Sequence, residues 1–303
     1  MNRKPVGADA YDEKWIASAW GERANEAFLK QEMDHPRPRV MRAMELTAIE
    51  AGQTVLDIAC GRGEVPALAA EKGAFAIGID FSAASLAFAA EVKVSRCERF
   101  GSGTMELIRA DACCLPFADA SFDRITLLDI VEHLVPMQLE AMFREVGRLL
   151  KPGGFAVIHT LPNRWVYDVT FPLLHKLWRG MPADPRGPID REIHVNEQDL
   201  PDLHGLLKKC GLAHRLWLEQ HMAAQARWNR LNDRFSDNRD RVYPFLTGWT
   251  GRILELVSLT PAKLLLCNEI FGLVWKGARP AGLKLRWGIT ERLAMWLPAR
   301  DKP

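Results

Sequence analysis

At 303 residues, with 48% hydrophobic and 26% charged content, the chain can bury a full core and is expected to form one domain with additions. A formal net charge of +2 gives no overall case for a nucleic-acid partner. Cys60, Cys97, Cys113, Cys114, Cys210 and Cys267 show no CxxC spacing, and the opening MNRKPVGADAYDEKW lacks the apolar region of a signal peptide. The longest apolar region, 253–275, is broken by Glu255, Pro261, Lys263, Asn268 and Glu269. The expectation is therefore a soluble chain in a reduced, cytoplasmic compartment, without a disulfide framework, a zinc spacing or a spanning helix.

In chain order, residues 1–50 read as a helical cap, in which Tyr11, Trp15 and Trp20 precede the sheet on an amphipathic segment. Strand-like and helix-like stretches alternate from residue 54 onward. Strands are predicted at 54–60, 74–80, 105–110, 124–130, 155–161 and 213–219. Helices are predicted at about 65–72, 82–98, 137–150 and 197–210. The segment EIFGLVWKG, 269–277, reads as the last strand, antiparallel to the rest. Such alternation implies an α/β fold with a mostly parallel sheet and helices on both faces, interrupted by a helical insertion. Ligands of these sheets bind outside the carboxyl ends of the strands. Asp80, Asp111, Asp129 and His159 fall at or near those ends.

The stretch VLDIACGRGE, 55–64, makes the first of those edges specific. Val55, Leu56 and Ile58 suit a buried strand, and Gly61 and Gly63 let the following turn approach a ligand closely. A nicotinamide-binding fingerprint would require a third glycine where this chain has Pro66. Asp57 would repel a pyrophosphate but suits a positively charged amino group. Asp80, seventeen residues after Gly63, is placed to accept hydrogen bonds from two ribose hydroxyls. Each acid taken singly can also be a helix N-cap.

Five stretches in order, VLDIACGRGE, IGIDFS, RADACCLPFADASFDRI, LLDIVEHL and RLLKPGGFAVI, resemble the class I S-adenosylmethionine-dependent methyltransferases of the small-molecule "type 11" kind. The resemblance covers residues 55–158. It implies a Rossmann-like sheet and S-adenosyl-L-methionine as cofactor. It places Asp57, Ala59, Gly61, Gly63, Asp80, Phe81, Asp111, Ala112 and Asp129 around that cofactor, Asp111 and the Ala112 amide at the adenine edge and Phe81 against the ring or ribose. It also implies that the N-terminal segment folds over the cofactor.

Methyl transfer is an in-line displacement in which the protein aligns the nucleophile and often removes its proton. Asp129, Glu132 and His133 are the catalytic candidates. In a helix Asp129 and His133 share a face, and an imidazole titrates near working pH, which favours His133 as general base. A first helical turn with a wall histidine is the plain alternative. The grouping DxxEH also resembles the ExxEH of quinone-pathway O-methyltransferases, in which those residues hold a divalent ion. That leaves a metal-assisted O-methyltransferase as an alternative, although no metal is assigned. His159 and His194 are further base candidates. A non-catalytic cofactor-binding regulator on the same fold also stays open.

Two regions exceed a minimal core. The connection 160–196 is too long for an ordinary loop, and 222–268 separates the sixth strand from the seventh. The domain reading is thus a cap at 1–50, a cofactor-binding core at 51–221, an inserted lid at 222–268, the last strand at 269–277 and an amphipathic tail at 278–303. Trp165, Tyr167, Phe171, Trp178 and Trp228 are expected to line an acceptor pocket. The arginines from Arg227 to Arg241 alternate with Asp233, Asp237 and Asp240, as on a solvated helix face. In the tail, Leu285, Ile289, Leu293 and Trp296 form one stripe that suits core packing, a dimer contact or a membrane surface. The expected partner is a small, lipophilic methyl acceptor, methylated on oxygen, with peripheral membrane contact through the tail and no nucleic acid.

Overall fold

The computed structural model describes residues 4–31, 37–177, 182–219, 249–257, 259–281, 283 and 288–297. Trp178, Trp228, Leu285 and the arginine-rich run 227–241 lie outside them. Three helices come first: α1 (Glu13–Trp20), α2 (Glu22–Leu29) and α3 (Pro38–Thr47). The alternating core follows as β1 (Thr54–Ile58), α4 (Glu64–Glu71), β2 (Phe75–Asp80), α5 (Ala83–Arg96), β3 (Thr104–Arg109), β4 (Phe122–Leu128), α6 (Pro136–Leu149) and β5 (Leu150–Thr160). After β5 the chain makes a π-helical turn at Val166–Thr170 and helices α7 (Phe171–Leu177), α8 (Pro188–Ile193) and α9 (Leu200–Lys209). It then forms β6 (Ala213–Glu219), α10 (Trp249–Val257), α11 (Lys263–Leu266), β7 (Glu269–Trp275) and α12 (Ile289–Ala294).

The seven strands form one sheet in the order β3-β2-β1-β4-β5-β7-β6. Strands β1 to β5 pair in parallel, and β7 is antiparallel to both β5 and β6. The last strand in sequence is therefore threaded between its two predecessors. Every residue of β7 is buried, as expected of an apolar run covered on both faces. Alternation in β1 sends Leu56 and Ile58 to one face, packed with Met142, Phe143 and Leu203 of α6 and α9. Val55 goes to the other, with Val40, Met44, Val65 and Val92 of α3, α4 and α5. Short polar side chains set the helix starts: Ser82 accepts from the Ser85 amide at 3.1 Å, and Asp199 from the Asp202 amide at 2.9 Å.

Two departures from the sequence reading have local causes. β5 begins at Leu150, so KPGG belongs to the strand, with Gly153 at φ +81° and a register shift between Phe122 and Arg124 absorbing the extra residues. The connection 160–196 is largely helical. Strands β1 to β5 all end at one edge, and β7 starts there with Glu269. Among the described residues no helix is long and apolar enough to cross a membrane.

Candidate active site

The turn after β1 passes through Ala59, Gly61 and Gly63, all with positive φ (60°, 52° and 80°). The Gly61 amide donates to Asp80 Oδ2 at 3.0 Å and the Ser82 amide to Oδ1 at 2.8 Å, so one carboxylate ties the glycine turn to the end of β2. Burial raises the Asp80 pKa against the pull of those donors. Gly63 has a different task from the one its spacing suggests. A Cβ there would lie 2.9 Å from Met105 Cε and 3.0 Å from Ala89 Cβ, so its bareness serves the packing of the turn on α5 and β3.

Asp57 is buried and accepts from Thr126 Oγ1 at 2.5 Å, a contact set by their pairing across β1 and β4. Burial, with Asp80 and Glu64 adding to it, lifts its pKa to about 7. Arg62, inside the glycine turn, is also occupied. It pairs with Glu64, donates to Asn25 Oδ1 at 3.1 Å and lies over the Phe28 ring. Asp111 is exposed and accepts from the Cys113 amide at 2.8 Å, while Ala112 packs against the core. Phe81, 36% exposed, meets the Tyr11 ring at 5.3 Å.

The stretch LLDIVEHL divides into two clusters. Asp129 takes φ +57°, and Val131–His133 forms a single tight turn in place of a regular helix start. Asp129 is thereby parted from Glu132 and His133. Its carboxylate meets Arg39 Nε at 2.7 Å and His159 Nδ1 at 2.5 Å, and His159 Nε2 lies 3.3 Å from Glu269. Burial opposes the charge on His159, but Asp129 and Glu269 outweigh it and raise the imidazole to about 9. Burial likewise works against the Asp129 carboxylate, yet Arg39 and His159 hold it well below the usual range.

Glu132 and His133 belong to the second cluster. Glu132, 1% exposed, accepts from Thr160 Oγ1 at 2.6 Å, and its other oxygen lies 3.9 Å from His133 Nε2. Burial, with the Asp129 charge adding, raises Glu132 to about 8. Burial and the neighbouring His194 push His133 down to about 3. His194 stands edge-on to His133 with ring centroids 4.9 Å apart. The loop that carries it is fixed by the Asn196 amide on Glu132 O and by Asn196 Nδ2 on Leu134 O, at 3.0 and 2.9 Å. One ligand atom from each of Glu132, His133 and His194 lies within 4.8 Å of the others, so these three, without Asp129, could hold a metal ion. The Tyr11 hydroxyl completes the cluster at 2.9 Å from His133 Nδ1, and Ser82 Oγ donates to Tyr11 O at 2.7 Å.

A methyltransferase-domain family model matches residues 55–154. The chain is 30% identical over 193 residues to the demethylmenaquinone methyltransferase of Tropheryma whipplei (strain Twist), spanning 61% of this chain and 76% of that protein. This chain belongs to the class I S-adenosylmethionine-dependent methyltransferases. Among solved structures it is similar to Haemonchus contortus phosphoethanolamine N-methyltransferase 2 in complex with S-adenosyl-L-methionine. The TM-score is 0.57 at 16% identity, over 90% of this chain and 60% of that one. It is likewise similar to the [4+2]-cyclase SpnF, with a TM-score of 0.53 at 17% identity, over 90% and 98%. At those identities the likeness is one of fold.

The methyltransferase's cofactor is S-adenosylmethionine, and the chemistry of the donor set fits it. Asp57, Glu64 and Asp80 surround a turn whose own arginine is consumed by Glu64 and Asn25, which disfavours a pyrophosphate and favours a cationic ligand. Arg37, lowered to about 9 by burial and by Arg62 and Arg39, remains a cation that an amino-acid carboxylate could meet. Arg39, Thr160 and Glu269 carry no signal in the sequence because they meet their partners only through the fold, from up to 110 residues away. No local pattern marks such a contact.

Proposed function

We propose that this methyltransferase transfers a methyl group to the oxygen of a small, lipophilic hydroxyl compound, with Glu132 and His133 together receiving the acceptor's proton. The bound cofactor supplies an electrophilic methyl on a sulfonium whose departure leaves a neutral thioether. The acceptor oxygen forms the new C–O bond as the S–C bond breaks, and one proton must leave the oxygen. A carboxyl raised to about 8 is matched to that task near neutral pH. His133, neutral and 3.9 Å from Glu132, can pass the proton inward. Thr160 orients the carboxyl, Tyr11 orients the imidazole, and Asp80 with the Gly61 turn holds the cofactor's ribose side. Asp129 keeps Arg39 and β5 in place. On this proposal residues 1–50 cap a cofactor-binding core at 51–221, 160–196 and the insertion 222–268 supply the acceptor wall, and 278–303 is the tail.

The observation that carries the proposal is the Glu132–His133–His194 cluster at the carboxyl edge of the sheet, which sets a buried carboxyl of raised pKa beside a neutral imidazole. The lipophilic acceptor is supported by the Tropheryma whipplei relative, whose name specifies demethylmenaquinone. A metal-assisted variant is favoured by the same three ligand atoms. The test is a panel of hydroquinones, phenols, alcohols and amines with isotopically labelled cofactor, run with and without chelator. Label in an ether product whose formation fails in Glu132→Gln supports the proposal. Label on nitrogen, or turnover undiminished in Glu132→Gln, removes it. Activity lost to chelator and restored by zinc or magnesium moves Glu132, His133 and His194 from proton acceptors to ligands. Cofactor binding without turnover of any acceptor in the panel favours a regulator.

A further inference from the structure

Most of the large apolar side chains left exposed among the described residues gather in one region. Leu173 and Leu177 are one helical turn apart on α7, Ile253 and Leu256 on α10, and Leu293 and Trp296 along α12 and its end. Leu177, Leu256 and Trp296 are 77%, 65% and 87% exposed. Stripes at this spacing normally face a core. Here they face outward on elements that are joined to one another. Thr170 Oγ1 donates to Leu265 O and Asn163 Nδ2 to Leu264 O, tying the turn before α7 to α11. Lys263 of α11 pairs with Glu291 of α12, and α10 runs into α11 through turn bonds from Leu259 to Leu256 O and Thr260 to Val257 O.

The charge around these stripes is basic in balance. Helix α7 carries Lys176 and no acid, α10 carries Arg252 and Glu255, Arg252 and Arg292 of α12 are exposed, and Glu291 is buried against Lys263. Residues 222–303 hold 14 Lys and Arg against 7 Asp and Glu. Position adds a third observation. α11 leads into Glu269, the first residue of β7, and α7 follows Thr160, the last of β5, so this surface adjoins the carboxyl edge where Thr160 holds Glu132.

We propose that this surface docks on an anionic lipid bilayer, with the apolar stripes at the level of the headgroups and the basic residues on anionic lipid, and that the acceptor enters from the bilayer. Two copies of the chain would bring together faces of the same net basic charge, whereas an anionic headgroup layer complements that net charge. Docking extends beyond the methyl-transfer reading and does not depend on it; only the entry of the acceptor rests on that reading.

The test uses the full chain with phosphatidylcholine vesicles and with vesicles that also contain phosphatidylglycerol, the bound fraction being read by flotation. The protein is expected to float with the anionic vesicles, less so as salt is raised. The double variant Leu256→Glu, Trp296→Glu is expected to lower binding by about tenfold or more. Both positions are exposed, so cofactor binding and circular dichroism should stay unchanged and certify the fold. Protein that stays in solution with either vesicle overturns the proposal, as does equal flotation of the wild type and the variant. A wild-type dimer that the variant dissolves overturns it too, by assigning the face to a second copy. A protein that floats as expected yet methylates no hydroxyl compound leaves docking standing and removes the proposed reaction.

Discussion

Two clusters diverge from one eight-residue stretch, and their electrostatics are opposite. Around Asp129 each charge has a partner of the other sign: Arg39 on one oxygen, His159 on the other, and Glu269 behind the imidazole. Around Glu132 and His133 burial outweighs the neighbouring charges, so the carboxyl rises to about 8 while the imidazole falls to about 3. The first set is ionised and closed. The second is neutral and able to change its protonation near working pH. Two nearby carboxyl groups pushed apart in pKa mark distinct roles, one fixed as an anion and one free to exchange a proton. Asp129, although it shares its segment with His133, thus belongs to the framework.

Replacing Asp129 by Asn tests this contrast most severely, because it leaves Arg39 and the buried His159 without their shared anion. We expect a loss of about 2 to 4 kcal/mol in denaturant unfolding, since half of a largely buried pair is removed. The pH dependence of stability follows with signs fixed by the shifts. Asp129 is depressed from its ordinary 3.8, so its contribution is complete above that value and lost as pH falls further. His159 is raised from 6.5 to about 9, so its contribution is complete below 6.5 and lost as pH rises through about 9. Wild-type stability from this cluster should therefore be greatest between about pH 4 and 6.5, and both limbs should flatten in Asp129→Asn. Unchanged limbs in the variant would remove Asp129 from the framework role.

Glu132→Gln and His133→Ala strike the other cluster. Each should lower kcat by about a hundredfold or more while leaving cofactor affinity nearly intact, the scale of losing a general base. In the wild type, kcat should climb as Glu132 ionises through about pH 8, and that limb should be absent from the residual activity of Glu132→Gln. A hundredfold loss of cofactor affinity in either variant would instead make the cluster part of the cofactor site.

Much of the fold was legible because its signals are local. The apolar runs around Leu56, Ile79 and Ile158 and the glycine turn each depend on near neighbours in sequence. Legibility failed at positions whose meaning is set by distant partners. DxxEH reads as one helical face only if a helix begins at Asp129; positive φ at that residue and the tight turn after it send its carboxylate toward Arg39, 90 residues earlier. Gly63 reads as ligand-facing by spacing, but its space is taken by Met105 and Ala89. His194 is a base candidate by sequence, whereas its pairing with His133 depends on Asn196 binding Glu132 O and Leu134 O, which no periodicity reports.

Asp80 sharpens the comparison from the cofactor side, since it is buried like Glu132 yet satisfied by two backbone amides. Asp80→Ala removes the tie to Gly61 and, on the proposed reading, the acceptor for the ribose hydroxyls. Titration calorimetry should show S-adenosylmethionine affinity reduced about ten- to hundredfold, corresponding to about 1.5 to 3 kcal/mol for hydrogen bonds to a charged group. Wild-type affinity in the variant would place the ribose elsewhere.

The smallest expected effect comes from Tyr11, where the N-terminal cap meets the neutral cluster. Tyr11→Phe removes the hydroxyl that lies 2.9 Å from His133 Nδ1 but keeps the ring against Phe81 and the carbonyl that receives Ser82 Oγ. The cap should therefore stay in place, and cofactor affinity and unfolding midpoint should be unchanged. The loss is confined to the bond that fixes the imidazole's tautomer, so its cost should be that of one neutral hydrogen bond, about 0.5 to 1.5 kcal/mol, or about a two- to twelvefold fall in kcat. The size of the fall separates two roles for the cap. A loss as large as that of His133→Ala would mean that the hydroxyl itself conveys the proton. No loss at all would mean that the cap covers the site without orienting His133, because a ring free to adopt either tautomer would then serve equally well.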